Sequence, residues 1–418
     1  MNDQVNMALR SLYVDFNSYF ASVEQQLRPE LRGKPIGILP VMADTTCCIA
    51  ASYEAKKFGV KTGTIVADAK KMCKDMIFVE ARPAVYVEMH HKLIELVESC
   101  TPVERVNSID EMQCELTGTQ MQREKAIALA HKIKQTIADK AGDQMRCSVG
   151  IAPNPFLAKT ATDMQKPNGL IVIEQEDLPQ CLHRLKLRDL CGVGRMMEVR
   201  LNKSGIETVE QLCASTKHEL YKAWGGIEGE RMYEKLRGEI VFTPPTQKAS
   251  VGHSHVLSPD MRTELTAFSV LNKMLQKAAM RLRAYSYTTA CMHAVIKYTN
   301  GQRWEDVANF DATDDTLHLI SALDVLWQRR IKMRGTPLAV GITFTGLNEK
   351  KYQSASLFDE LKSHDKLNAA VDKLNLRYGS NTVYYGGSHL ALQQGSAPMR
   401  IAFNHIPDLV VESDGHLK

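Results

Sequence analysis

The chain has 418 residues, with 52 Lys and Arg against 48 Asp and Glu and a formal net charge of +4. Its 44% hydrophobic and 24% charged residues are those of a globular protein of several domains, and they exclude a disordered, collagen-like or coiled-coil chain. No uncharged apolar run reaches the ~18 residues of a membrane span, and MNDQVNMALRSLYVDF has no basic region ahead of a long apolar stretch, so no membrane association and no secretory signal are expected. A charge so close to balance neither demands nor excludes nucleic acid, so a polyanion would be held by a local basic face. The ten cysteines form no CxxC pair and no zinc-ligand spacing, which fits reduced thiols in a cytoplasmic protein.

The first element is LRSLYVDF at 9–16, an apolar strand that ends on an acid. NSYFASVEQQL follows as a helix, with Phe20, Val23 and Leu27 at i, i+3 and i+7, until Arg28-Pro29-Glu30 breaks it. Residues 34–41 (KPIGILPV) and 46–52 (TCCIAAS) read as buried strands, and Tyr53 to Phe58 as a short helix stopped by Gly59. Next come a long helix over about 84–99, paired strands around an acidic turn over 103–117, and a second long helix over about 122–140. A strand over 145–151, a helix over 154–164 and the strand LIVI after Pro167-Asn168-Gly169 complete an alternation that predicts an α/β or α+β core. Residues 178–243 turn helical, with glycine turns at Gly192-Val193-Gly194 and Trp224-Gly225-Gly226, and the prolines of 242–247 mark an extended linker. A helix over 265–284, an alternating strand over 289–298, the tight-turn pair Asn300-Gly301, a helix over 315–330 and a strand over 338–344 build a βαββαβ-like unit. Beyond 350 only 367–378 is amphipathic.

Three acids carry the chemistry. Asp15 ends an apolar strand, and Asp110 and Glu111 follow Val106-Asn107-Ser108-Ile109. An acid beside an apolar core is costly unless it is paired or metal-bound, and acids converging from separate strands suit Mg²⁺. Taken alone, such acids are more often surface groups or helix caps. Phe20, five residues after Asp15, reads in isolation as core packing. Tyr53 and Lys56 share a helix face that could hold a triphosphate, and Lys159 could reach a phosphate. Gly192-Val193-Gly194 is similar to a helix-hairpin-helix turn, whose amides meet DNA phosphate without reading sequence. Each of these also fits a solvated helix end or a plain turn.

In order, the segments YVDFNSYFASVE at 13–24, SYEAKKFGVKTG at 52–63, NSIDE at 107–111, CSVGIAPNPFLAKTATDMQKPNGL at 147–170 and LRDLCGVG at 187–194 resemble the Y-family (translesion) DNA polymerases. Within them the chain is most similar to the bacterial polymerase IV (DinB-like) and UmuC-like groups, over roughly 8–349. The resemblance implies an α+β, multidomain right-hand fold: palm at 1–27 and 82–177, small fingers at 28–81, a helix-hairpin-helix thumb at 178–243, a linker at 244–250 and a βαββαβ little finger at 251–349. It implies a DNA-directed DNA polymerase that performs error-prone translesion synthesis by two-metal nucleotidyl transfer to a primer 3′-hydroxyl. Asp15, Asp110 and Glu111 would be the catalytic metal ligands, with the Phe16 carbonyl, for two Mg²⁺ ions that Mn²⁺ can replace. Phe20 would be the steric gate against a ribose 2′-hydroxyl. Tyr19, Tyr53, Lys56 and Lys159 would bind the nucleotide.

The implied partners are primer–template DNA, a dNTP and a sliding clamp, with the enzyme a monomer. For DNA the expected contacts are Gly192 and Gly194 and the basic residues Lys273, Lys277, Arg281, Arg283, Arg330 and Lys332. Residues 251–349 hold 11 Lys and Arg against 9 Asp and Glu, so any grip there rests on local clusters. Gln353, Leu357 and Phe358 resemble a clamp-docking peptide in the tail, 350–418, with one residue more than the usual spacing. The sequence departs from many relatives at Lys56 (Arg there), Ala50 (Thr) and Asn17 (Asp), and none of these removes an acid of the triad. A catalytically silent clamp-binding accessory of the same fold would have lost those acids, and a palm-type nucleotide cyclase would need no duplex-gripping units.

Overall fold

A computed structural model describes residues 9–242, 248–352, 364–395, 401 and 406–409. β1 (Ser11–Phe16) and α1 (Tyr19–Leu27) open the chain, followed by β2 (Ile36–Leu39), β3 (Ala50–Ala51), α2 (Tyr53–Lys56), α3 (Val66–Met72) and β4 (Ile77–Glu80). Then come α4 (Pro83–Glu98), β5 (Arg105–Ser108), β6 (Glu111–Glu115), α5 (Arg123–Ala141), β7 (Cys147–Ala152), α6 (Pro155–Met164) and β8 (Leu170–Val172). The central sheet has the order β5-β6-β1-β7-β8, antiparallel except for β7 beside β8. Strand alternation sorts β1 between two layers. Leu12, Val14 and Phe16 pack with Tyr86 and Leu93 of α4 and Ile133 of α5. Tyr13 faces the other way, into a cluster with Leu157, Ala158 and Ala161 of α6, and Asp15, two residues on, shares that side.

Gly150 of β7 lets α6 lie against the sheet. A Cβ there would stand 1.9 Å from the Ala158 carbonyl oxygen. Gly150→Ala therefore forces α6 off the sheet and destabilises the protein by ~2–4 kcal/mol, read as a lower thermal-unfolding midpoint. An unchanged midpoint would show that α6 shifts freely.

In the small sheet, β2 pairs antiparallel with β3 and parallel with β4. The strand expected over 46–52 shrinks to Ala50–Ala51. Thr46 turns the chain back by bonding its hydroxyl to the Val41 and Ala43 carbonyls, and Cys47 makes only an isolated bridge to Ile65. Helix α3 and strand β4 were not expected; seven and four residues are too few to print a clear period.

The next unit is helical: α7 (Arg195–Lys203), α8 (Val209–Ala214), α9 (Lys217–Trp224) and α10 (Ile227–Lys235). Its core of Leu201, Leu212, Leu220 and Met232 is continuous with the buried face of α6. The last unit runs β9 (Val251–Val256), α11 (Glu264–Ala284), β10 (Tyr287–Tyr298), β11 (Arg303–Thr313), α12 (Thr316–Arg329) and β12 (Pro337–Glu349). The sheet order is β11-β10-β12-β9, all antiparallel, with α11 and α12 on the face that presents Met292, Ala294, Ile296, Ile342 and Phe344. Past residue 363 the tail folds back as α13 (Asp365–Tyr378) and α14 (His389–Gln393). Asp372 takes a two-pronged hydrogen bond from Arg283 at 2.6 and 2.8 Å, and Ala391 is buried against α11.

That packing corrects the expected basic grip. Lys273 and Arg281 are buried in the helix layer, and Arg283 is committed to Asp372. Arg330 is also buried; it pairs with Glu264, donates to the Tyr298 hydroxyl and stacks 3.9 Å from the Trp327 ring. The apolar stripe of α11, at i, i+3 and i+4 spacing, lies on the sheet and takes Lys273 and Arg281 in with it, while Arg330 caps the C-terminus of α12. Lys277 is half-buried and Lys332 exposed. Among the described residues no helix is long and apolar enough to cross a membrane.

Candidate active site

Asp15 and Glu111 are direct partners across the β1–β6 ladder, and the Phe16 amide donates to the Asp110 carbonyl at 2.9 Å. Strand pairing alone thus brings the three acids together. Asp15 is 4% exposed. Asp110 Oδ1 accepts from Ser108 at 2.6 Å, and Glu111 Oε2 accepts from the Tyr13 hydroxyl at 2.7 Å.

Lys159 projects from α6 into this cluster. It pairs with Asp15 Oδ2, with Glu111 Oε1 at 3.0 Å and with Asp163 at 3.3 Å. Burial opposes its charge, but Asp15, Glu111 and Asp163 together hold the ammonium well above the usual lysine range. Lys166, which the sequence reading did not single out, lies 2.7 Å from Asp15 Oδ1 and 2.8 Å from Asp163.

The opposite wall comes from α1 and the small sheet. Phe20 stacks on Tyr86 with centroids 4.6 Å apart and planes 16° from parallel. Tyr19 corrects an expectation: its ring is buried and its hydroxyl donates to the Tyr86 carbonyl at 2.7 Å, so that hydroxyl is not offered to a nucleotide. Lys56 is exposed, with its ammonium 4.4 Å from the Tyr53 ring centre. Asp15, Phe16, Phe20, Lys56, Asp110, Glu111, Lys159 and Lys166 line one cleft of about 510 Å³, roofed by Cys47 to Ala51 and reached by Ile401 of the tail.

Burial pushes the Asp110 carboxyl from 3.8 up to about 6; the Ser108 bond opposes this, and the charges of Asp15 and Glu111 add to it. A carboxyl raised in the folded state contributes stability below its unfolded pKa, and loses it as pH rises through the folded value. The metal-free protein therefore loses stability between pH ~4 and ~6 on account of Asp110. Asp110→Asn should melt higher than the parent at pH 7 and level with it near pH ~4, followed by circular dichroism. An equal offset at both pH values would show that Asp110 is not the titrating group.

Family models match this chain along most of its length. The impB/mucB/samB family matches residues 14–163, the thumb domain of DNA polymerase-iota 188–239, and the impB/mucB/samB family C-terminal domain 248–357. The DNA polymerase IV of Moorella thermoacetica is 30% identical over 398 residues, covering 90% of this chain and 98% of that one. The chain belongs to the Y-family DNA polymerases. The DNA polymerase IV of Bacillus anthracis is 28% identical, with 93% and 96% covered. A Y-family chimera of the polymerases Dbh and Dpo4 superposes with a TM-score of 0.67 at 25% identity, covering 81% of this chain and 99% of that one. An insertion ternary complex of Dbh gives 0.53 at 25% identity, with 80% and 98% covered.

As a Y-family member the protein is a DNA-directed DNA polymerase of the translesion class, with palm, small fingers, helical thumb and little finger. In the thumb, Val193 plugs the helical core while Gly192, at φ 86°, and Gly194 stay exposed, so the hairpin turns its glycines outward. Its first limb is only a 3₁₀ turn, Leu187–Asp189. Besides Lys166, the sequence reading missed Tyr13, Ser108 and Asp163. The i, i+2 spacing of Tyr13 and Asp15 was the available signal, because it puts both on one strand face. Gln353, Leu357 and Phe358 lie outside the described residues.

Proposed function

We propose that this polymerase adds nucleotides to a primer 3′-hydroxyl under template direction, by error-prone translesion synthesis dependent on two Mg²⁺ ions, for which Mn²⁺ can substitute. One observation carries the reading: Asp15 and Glu111 from two paired strands, and Asp110 from the turn before the second, share a cleft with the lysines and the aromatic wall that a nucleoside triphosphate requires. The donor set fits hard divalent ions. Asp15 is a buried carboxylate, and its side-chain partners among the described residues are the Lys159 and Lys166 ammonium groups. Burial also raises the cost of charging Asp110, which a cation would relieve. Asp15, Asp110 and Glu111, with the Phe16 carbonyl, would hold the ions, which supply charge neutralisation for phosphoryl transfer.

The chain's own groups do the rest. Tyr53, Lys56 and Lys159 orient the triphosphate. Phe20 closes the space beside the sugar C2′. The Gly192 and Gly194 amides, with Lys277 and Lys332, meet backbone phosphates of primer–template DNA without reading bases. Lys56 is a point charge rather than a bidentate fork, so nucleotide binding is looser than an Arg would give. Docking of Gln353, Leu357 and Phe358 on a sliding clamp, and action as a monomer, rest on the sequence. Presence of all three acids argues against a silent accessory.

Primer extension on a defined template with Mg²⁺ and all four dNTPs tests the reading. Products that follow the template are expected. A folded, DNA-binding protein that extends nothing would overturn it.

A further inference from the structure

We propose that His90 is a positioning residue for the turn that carries two of the acids: its ring holds the Ile109 carbonyl and so fixes where the Asp110 and Glu111 carboxylates point. This rests on the two-metal reading above and concerns how the acids are aimed.

The turn has little of its own to hold it. Strands β5 and β6 close on the pair Ser108 and Glu111, which leaves Ile109 and Asp110 as a two-residue loop. The register also slips between Val106 and Ser108, one step before the loop. Both loop carbonyls are answered from outside the hairpin. The Phe16 amide donates to the Asp110 carbonyl at 2.9 Å, and His90 Nδ1 donates to the Ile109 carbonyl at 2.7 Å. These carbonyls belong to the two peptide planes that flank the Asp110 Cα. One bond per plane therefore fixes φ and ψ of Asp110, and with them the direction of its side chain. The first bond comes from the strand that bears Asp15, the second from α4.

His90 suits the task. It is buried in the face of α4 that packs on the core. A carbonyl oxygen only accepts, so Nδ1 carries the ring proton. Burial pushes the imidazole from 6.5 down to about 4, and the ring is a neutral, single-donor group at pH 7. Tyr86, one turn earlier on the same helix, backs Phe20. Tyr86 and His90, at i and i+4, thus brace the aromatic wall and the acid turn from one helix face. The aim of the turn matters because displacing a reacting group by ~1 Å costs on the order of 10²-fold in rate.

The test compares the full chain with His90→Leu, which fills the space without a donor, and His90→Asn, whose side-chain amide can stand where Nδ1 stood. Ion binding, free of DNA and nucleotide, is read from the electron-paramagnetic-resonance signal of unbound Mn²⁺. Single-nucleotide incorporation gives kcat and KM, and circular dichroism gives the melt. His90→Leu should weaken Mn²⁺ binding roughly tenfold and lower kcat by roughly 10–10²-fold, with the dNTP KM within about twofold of the parent. His90→Asn should recover binding and kcat to within about threefold, although its smaller, polar side chain makes it melt below His90→Leu. Ion binding and stability then rank the two variants in opposite orders, which a merely structural histidine would not produce. Mn²⁺ binding that is unchanged in His90→Leu, or that falls in step with the melt in both variants, overturns the proposal. Asp110→Ala tests the reading beneath it. If that variant binds Mn²⁺ as the parent does, the ions sit elsewhere and the two-metal reading falls as well.

Discussion

Asp110→Ala and Glu111→Ala each lower template-directed extension by on the order of 10³-fold or more, while duplex binding stays within about twofold of the parent. The expected split follows from where the groups sit. Both acids lie at the β5–β6 turn, beside Asp15 and inside the cleft. The thumb hairpin and the little finger, which the reading assigns to DNA, are built from other elements. Burial raises the cost of charging Asp110, so its removal is expected to cost the fold little beyond the Ser108 bond. Extension assays beside an equilibrium DNA-binding titration check the pair. Equal loss of extension and binding would signal a folding defect and withdraw the catalytic assignment.

Phe20→Ala raises the preference for ribonucleotides, as a ratio of kcat/KM values, by about 10²-fold, equivalent to ~3 kcal/mol. The ring is not free to move aside in the parent. It stacks on Tyr86, whose hydroxyl donates to the buried Glu24 at 2.8 Å, and Glu24 is gripped by Arg82 at 2.9 and 2.7 Å. Tyr86→Leu removes that backing and should relax sugar discrimination by a smaller factor, roughly three- to tenfold, with Phe20 intact. Single-nucleotide incorporation with matched dNTP and rNTP measures both variants. Unchanged discrimination in Phe20→Ala would remove Phe20 from the gate.

Period and distance decide which elements of this protein are legible in its sequence. Long elements were legible because their repeats are: α4, α5, α11 and α12 stand within one or two residues of the expected bounds. The segment 46–52 misled because its β-branched and apolar composition is that of a strand, whereas the Thr46 hydroxyl bends it. The basic cluster of α11 misled for a related reason. Charge is visible in sequence, but the face it lands on is set by which side the apolar stripe buries. Thus Lys273 and Arg281 go inside and Arg283 finds Asp372, a partner 89 residues away.

The sequence by itself determined the family, the order of units and the identity of the acids, because ordered motifs such as NSIDE and YVDFNSYFASVE are local strings. The tertiary structure decided which cations answer those acids. Lys159 stands 144 and Lys166 151 residues from Asp15 along the chain. They meet it only because Gly150 admits α6 onto the sheet and Asn17 and Ser148 seat the loop behind it. Ion pairs of that separation depend on packing, which no local pattern of residues records.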